Sequence, residues 1–350
     1  MCWLLCSWKA RGMILVYVAF CLYHLWWNEL EFSKTPCLKI FSLSGYILAR
    51  IFSLEFASST EIEERSSPPK NTFREPLIIV IPFTSGQQER LVRMLSLLER
   101  IPPCRPRGPV RYLPTIAFYY HASLETLVGR SIQQNISAAW ESLPHSVRDC
   151  FHKDVIWKGA NLSGTRDLYS RWDSEAYSAG TNNMFYGIMR DDAIARKYQY
   201  MFYCEPDVTP IREGWLEKLV ELSLQSSQHK VWMIGSVYQG TDFGAVLSWA
   251  LQYRGGMAWR HLNGNALYRL GDACFQSFLF QVEKKYYPMS FDISIYRYFY
   301  SLKNPILTSK FMPTNIIIHI GNSYVHHNTT THSSQYSHTY LVHGKNFVFD

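Results

Sequence analysis

Two carboxylates one residue apart close the apolar, aromatic run Tyr200-Met201-Phe202-Tyr203-Cys204-Glu205-Pro206-Asp207. In a strand, residues i and i+2 point the same way, so Glu205 and Asp207 would aim at one point just past the strand's end. In an open α/β sheet such a point is where ligands bind. Two carboxylates converging there repel each other unless a proton or a cation relieves them. A hard divalent ion with oxygen ligands is the natural relief. An E-x-D tripeptide is equally compatible with a capping Asp207 beside a solvated Glu205. Its setting gives it weight: an apolar strand precedes it, a Pro-bounded turn follows, and Gly214-Trp215-Leu216-Glu217-Lys218-Leu219 then reads as a helix.

Other polar residues sit at junctions of the same kind. Asp292 opens a helical pattern with Ile295 and Phe299 on one face, where it can cap the helix or accept a proton. Asp272 is a second candidate base. Asn182 and Asn183 follow Gly180-Thr181, a turn opening a helix whose N-terminal amides favour anions. Asn263 and Asn265 flank Gly264 before an apolar strand, a pattern that fits a buried turn network or a polar ligand contact. Near the C-terminus the strand Ile316-Ile317-Ile318-His319-Ile320 is followed by Val325-His326-His327. Imidazole joins carboxylates on Mn²⁺-like ions, so His326 is a candidate third ligand, with His327 beside it. His332, His338 and His343 make this end simply His-rich.

Strands and helices in alternation must position these groups. Leu77–Phe83 is a continuous β-branched run, the pattern of a strand covered on both faces. Gln88–Ile101 carries Leu91, Met94, Leu95 and Leu98 on one helical face. Further strands are expected at Thr115–Tyr120, Asp154–Trp157, Tyr198–Cys204 and Val231–Val237. Helices are expected at Leu124–Cys150 with breaks, Ser174–Met189 and Leu216–Leu224. This alternation predicts an α/β fold with a mostly parallel sheet flanked by helices.

The chain has 350 residues, 47% of them hydrophobic and 15% aromatic, enough for one large domain with an extension. Its net charge of +7 is diffuse, with no long Lys/Arg run, which argues against a nucleic-acid arm and suits anionic ligands such as phosphates. Lys9 and Arg11 precede the uncharged run Gly12–Trp27, and Glu29 and Glu31 follow it. That asymmetry predicts a cytoplasmic tail (1–11) and an uncleaved type II signal anchor (12–27), with a cleaved signal peptide as the competing reading. At about 16 residues the anchor is short, which fits the thinner membranes of the early secretory pathway, endoplasmic reticulum or Golgi. Residues 28–73 read as an amphipathic stem helix followed by a Pro/Ser-rich linker, and 74–350 as the catalytic body. Sequons at Asn135, Asn161 and Asn328 agree with a luminal body. Among eight cysteines no C-x-x-C occurs; Cys104 and Cys150 could pair in an oxidising lumen, and Cys204 reads as a buried thiol.

This order of motifs resembles the GT-A fold of nucleotide-sugar glycosyltransferases. Ile79-Val80-Ile81-Pro82-Phe83 looks like that family's first strand, and Cys204-Glu205-Pro206-Asp207 sits where the family carries D-x-D, with Glu for the first Asp. Gly264–Arg269 resembles the loop and strand lining the acceptor side. Phe291–Arg297 resembles the segment bearing the catalytic base, with one acidic residue where the family often has more. The resemblance covers roughly Pro76 to Asn328. It implies a metal-dependent transfer from a nucleoside-diphosphate sugar to a hydroxyl of a glycan, protein or lipid. In that scheme Glu205, Asp207 and His326 hold Mn²⁺ or Mg²⁺ and Asp292 acts as base in an inverting reaction. Asn182, Asn183, Asn263 and Asn265 lie toward nucleotide and sugar. A catalytically silent luminal module of the same fold and a nucleotidyltransferase are the alternatives.

Overall fold

The computed structural model describes residues 74–105, 112–169, 178–239, 261–321, 325–327, 337–344 and 347–349. The tail, anchor, stem and linker expected over 1–73 lie outside the described residues. Among those described, no helix is long and apolar enough to cross a membrane.

The first half alternates strand and helix as expected, with β3 two residues later than foreseen and the short α4 unforeseen: β1 (Glu75–Phe83), α1 (Gln88–Arg100), β2 (Thr115–Tyr120), α2 (Leu127–Glu141), β3 (Ile156–Gly159), α3 (Ala179–Met189), α4 (Asp192–Lys197) and β4 (Tyr198–Tyr203). After β4 come β5 (Val208–Pro210), α5 (Trp215–Gln228), β6 (Met233–Gly235), β7 (Leu267–Arg269), α6 (Ala273–Tyr286) and α7 (Phe291–Ser301). The chain closes with β8 (Phe311–Pro313), β9 (Ile317–Gly321), β10 (Val325–His327), β11 (Leu341–Gly344) and β12 (Phe347–Phe349). The seven-stranded sheet has the order β3-β2-β1-β4-β7-β6-β8. β7 alone runs against its neighbours; the other pairings are parallel, so the sheet is mostly parallel as the sequence predicts.

Each central strand is covered on both faces, which is why its sequence is apolar without alternation. In β1 every residue after Glu75 is buried. Leu77, Ile79, Ile81 and Phe83 share a core with Leu91, Met94, Leu95 and Leu98 of α1, Ile132, Ile136 and Trp140 of α2, and Leu216 and Leu219 of α5. Phe185 of α3, Tyr203 of β4, Tyr268 of β7 and Phe291 of α7 form an aromatic cluster. Phe185 and Phe291 stack at 3.9 Å between ring centroids, and Tyr203 meets both edge-on. Such pairs contribute about 0.5–1.5 kcal/mol beyond the area they bury. The stack seats the first turn of α7 and so places Asp292.

The details of several elements depart from the sequence pattern for local reasons. The helical stretch foreseen over 124–150 with breaks is realised as α2 and, after Pro144, a single turn, His145–Arg148. Pro144 cannot join the preceding helix because it lacks the N–H donor. The strand foreseen at 231–237 shortens to Met233–Gly235. Helix α6 was not anticipated, and Asp272 proves to be its cap: its Oδ1 accepts from Phe275 N at 2.9 Å while Oδ2 lies 3.2 Å from Arg269 Nε. That pairing removes Asp272 from the candidate bases.

Cys104, in the loop after α1, is bonded to the buried Cys150, 46 residues on. The same loop is pinned by Gly214 N and Leu216 N, which donate to Pro102 O and Pro103 O. The loop is therefore held at two points, to Cys150 by the disulfide and to the start of α5 by these hydrogen bonds. A loop of this length restricts the unfolded chain by up to about 4 kcal/mol. Cys104→Ser, or reduction of the wild type, is expected to lower the unfolding free energy by about 2–4 kcal/mol in a denaturant titration, with no effect of reductant on the variant.

Candidate metal and ligand site

The sheet order reverses between β1 and β4: the chain builds outward through β2 and β3, then returns to lay β4 on the other side of β1. The crevice beyond the carboxyl ends of these two strands is the ligand site of such a sheet. Glu205 and Asp207 stand there. Val208 N donates to Glu205 O at 3.0 Å, closing a turn with Pro206 and Asp207 at its centre. Proline at the second position of such a turn presets the backbone for it.

β5 then pairs antiparallel with β11, setting His343 opposite Val208, and β11 pairs parallel with β9, setting His343 opposite His319. This register brings His343 to the carboxylates. Its Nε2 lies 3.5 Å from Glu205 Oε2 and 3.3 Å from Asp207 Oδ1. One ligand atom from each of the three residues falls within 4.8 Å of the other two. The His319 ring stacks on His343 at 4.8 Å and Tyr238 meets His319 edge-on at 5.3 Å.

The electrostatics of the cluster are unequal. Burial raises the Glu205 pKa and the Asp207 charge adds to it, outweighing His343 and the Asn265 amide. Burial also pushes Asp207 up, but His343 and then Arg90 outweigh it and bring that carboxyl down to about 2. Arg90 Nη1, from the first turn of α1, lies 3.5 Å from Asp207 Oδ2. Burial lowers His343, yet the two carboxylates win and raise it. His319 is brought down to about 3, by burial first and by the His343 charge second, so it is neutral.

Asp207 Oδ1 is buried and has no hydrogen-bond partner; its contact with His343 is close but not aligned. Leaving such an oxygen unsatisfied costs about 1–3 kcal/mol, more for a charged group. A donor set of two carboxylates and one imidazole nitrogen, with an orphaned carboxylate oxygen among them, fits a divalent cation of the Mn²⁺ type.

The asparagines expected at the ligand instead hold the site's frame. Asn265 is fully buried; its Oδ1 accepts from Glu205 N at 2.7 Å and its Nδ2 donates to Glu205 Oε2 at 3.0 Å. Asn263 Oδ1 accepts in turn from Asn265 N and Nδ2, at 3.0 and 3.1 Å. Of the two readings of this loop, the buried turn network is the one realised. Asn182 is fully buried too, and its Nδ2 donates to the carbonyls of Pro288 and Met289. Its Nδ2 therefore ties α3 to the lead-in of α7, while its buried Oδ1 has no partner. Asn183 lies nearer the surface and donates to Arg166 O and Tyr287 Oη.

Asp292 stands on the far side of the same loop. Its Oδ2 accepts from Gly264 N at 3.1 Å and lies 3.3 Å from His261 Nε2. Its Oδ1 accepts from Ser290 Oγ at 2.6 Å and from its neighbour's amide, Ile293 N, at 2.8 Å. Burial raises its pKa, but the His261 charge and these hydrogen bonds prevail and hold it well below the carboxylate range. A general base works best with a pKa near the working pH. Asp292 alone is thus a strut and a poor proton acceptor, and the base role expected of it needs His261. Gly264 must be glycine: a Cβ there would meet the Phe291 ring at 2.8 Å.

His326 lies in β10, whose side chains are outside the described residues. The imidazole at the carboxylates is His343, which sequence reading left in the His-rich tail. Its one signal was the apolar strand around it, Tyr340-Leu341-Val342-His343. Arg90 and His121 were missed as well. His121, at the end of β2, has Nδ1 2.8 Å from Asp167 Oδ1, while its Nε2 is buried without a partner.

No family model matches the chain, and no curated protein matches it by sequence. Solved structures do resemble it. Mouse xyloside xylosyltransferase 1, in its apo form, is 12% identical, with 77% of this chain and 97% of that one covered at a TM-score of 0.46. Core-mannan synthase A from Aspergillus fumigatus, in a Mn/GDP form, is 9% identical over 71% and 75% of the two chains, TM-score 0.40. The galactosyltransferase LgtC with donor and acceptor sugar analogues is 12% identical over 76% and 86%, TM-score 0.39.

The Asp292 network makes a pH-dependent contribution. An unfolded aspartate titrates near pH 3.9, and the folded one lies below it, so the contribution is complete above about pH 4 and is lost as pH falls further. Asp292→Asn is expected to lower stability at pH 7 by about 2 kcal/mol. It should also flatten the fall in unfolding free energy between about pH 4 and 2, which urea titrations across that range measure.

Proposed function

We propose that the chain is a GT-A-type glycosyltransferase that moves a sugar from a nucleoside-diphosphate donor to a hydroxyl acceptor with the help of a divalent cation. The observation that carries this reading is the convergence of Glu205, Asp207 and His343 at the switch point between β1 and β4. The order of sequence motifs that resembles such enzymes supports it independently.

Glu205, Asp207 and His343 would hold the cation, Mn²⁺ or Mg²⁺. A bound cation would supply Lewis-acid stabilisation of charge on the departing diphosphate. Asn265 fixes the Glu205 carboxylate from two sides and so preorganises one ligand before any ion arrives. Arg90, exposed for 42% of its side chain, stands beside Asp207 and can meet a phosphate oxygen as well. His121, just after β2, is held by Asp167 through Nδ1, and its buried Nε2 has no partner, so it is a further polar group that a ligand could meet. In an inverting transfer the acceptor proton would fall to His261 in its neutral form, and Asp292 would steady the imidazolium that results, the charged pair in which Asp292 is held low. The anomeric configuration of the product, read by NMR, separates inversion from retention.

A luminal body behind a type II anchor in the endoplasmic reticulum or Golgi remains part of this proposal. The Cys104–Cys150 bond supports it, because such bonds persist in oxidising compartments. Asn135 and Asn161 are both exposed, as acceptor sequons must be.

Thermal melts with Mn²⁺ and UDP or GDP test the centre of the proposal. Wild type is expected to melt higher with metal and nucleotide together, by about 4 kcal/mol of linkage at a thousandfold excess over Kd, and EDTA should abolish the gain. Asp207→Asn and His343→Ala should lose the gain and also lose turnover by about 10²–10³-fold. An equal gain in EDTA, or in both variants, would sink the metal reading.

A further inference from the structure

Beyond the metal cluster, α7, β6 and β8 enclose a half-open cavity of about 170 Å³. Ile295 and Phe299 of α7, Met233 of β6, Phe311 of β8 and the loop residues Val237 and Leu262 give it apolar walls. Asp292 stands at one wall, and its carboxylate is the same one that meets His261 and Gly264 N. At another wall, Val237 precedes Tyr238, whose ring contacts His319, which stacks on His343. The cavity therefore adjoins the carboxylate that pairs with His261, and two ring contacts separate its Val237 wall from His343.

Its size and lining select a guest. An apolar cavity of about 150 Å³ takes a molecule as large as benzene. A pyranose ring would bring several hydroxyls that these walls cannot satisfy, and each buried without a partner costs free energy. A long acyl chain would not fit. Ligand sites commonly combine an apolar pocket with a few convergent polar groups, and here the charged one is the Asp292 carboxylate, with Tyr296 and Thr308 as the other polar-tipped lining residues.

We propose that this cavity holds a phenyl-sized apolar group of the acceptor, set next to the hydroxyl that receives the sugar. The inference rests on the transferase reading and names its acceptor class: an aryl-bearing hydroxyl compound, such as an aromatic glycoside, rather than a bare sugar. The ring sits between Ile295, Phe299 and Phe311, and the hydroxyl points toward the His261–Asp292 pair.

The test separates the two readings. Diphosphate release from a panel of UDP- and GDP-sugars with Mn²⁺ and no acceptor reports the transferase itself. Matched p-nitrophenyl and methyl glycosides of one acceptor sugar then report the cavity. The aryl acceptor is expected to show a KM about 10-fold lower or better, from the apolar area it buries. Thr308 lies exposed at the rim, as the last residue of the short helix Pro305–Thr308, so Thr308→Trp fills the mouth without touching the core. In that variant, confirmed folded by its melt, the KM ratio should fall toward one, and in Phe299→Ala, which widens the cavity, the preference should move to naphthyl glycosides. Benzyl alcohol should raise the melting temperature of wild type and not of Thr308→Trp. Donor turnover with equal KM for aryl and methyl acceptors overturns the acceptor inference alone, as does an aryl preference that survives Thr308→Trp. No diphosphate release from any donor overturns the transferase reading, and the acceptor inference with it.

Discussion

Two negative charges held together at the end of a buried strand are the constraint around which this structure is arranged. β4 is apolar because both faces of the central sheet are covered, and it stops where Glu205 and Asp207 begin. The turn through Pro206 keeps the carboxylates near each other, and partial burial removes the water that would screen them. Something positive must be near. Three groups answer at different distances from the chain: Arg90 from the helix after β1, His343 from a strand almost at the C-terminus, and, in the proposed function, a cation.

The second sheet exists, in this view, to deliver the imidazole. β5 is only three residues long, yet its antiparallel pairing with β11 fixes His343 beside Asp207. β9 on the other side of β11 adds His319, which burial and the neighbouring charge keep neutral, so it packs under His343 as an aromatic wall. A one-residue slip of β11 would turn His343 to the opposite face of its sheet. The register is held by Leu341, Val342, Ile317, Ile318 and Ile320, all buried. Packing energy in a small apolar sheet thus sets the geometry of a polar site.

The opposite wall is built from Asn263, Gly264, Asn265 and Asp292. It runs from His261 to Asp292, from Asp292 to the amide of Gly264, and from the adjoining Asn265 to Glu205. The line is anchored in apolar material, because Asp292 follows Phe291, which stacks on Phe185 and leaves no room for a side chain on Gly264. Partly satisfied polar networks are costly and fully satisfied ones specify a single arrangement. Most atoms of this line are satisfied; the orphaned Asp207 oxygen stands at its end, where a ligand is expected.

Much of this was legible in the sequence. The β-branched runs of β1 and β2, the helical face of α1 and the strand-turn-helix around Glu205 and Asp207 are local patterns, decided by periodicity and by turn residues within a few positions. The carboxylate pair could be found because i, i+2 spacing at a strand end is itself geometry. The partners of that pair could not. His343 lies 136 residues from Asp207, and nothing in a His-rich tail marks which imidazole a strand pairing will carry inward. Asn182, Asn263 and Asn265 have polar side chains beside glycines, a pattern shared by ligand contacts and buried ties, and only burial and partner geometry separated them. Asp292 was found by its place before a helix, but its charge state was set by His261, a residue 31 positions earlier. Sequence determines the elements through short-range sterics and hydrophobic period; long-range register and packing decide which polar groups meet, because those contacts depend on every apolar surface between them.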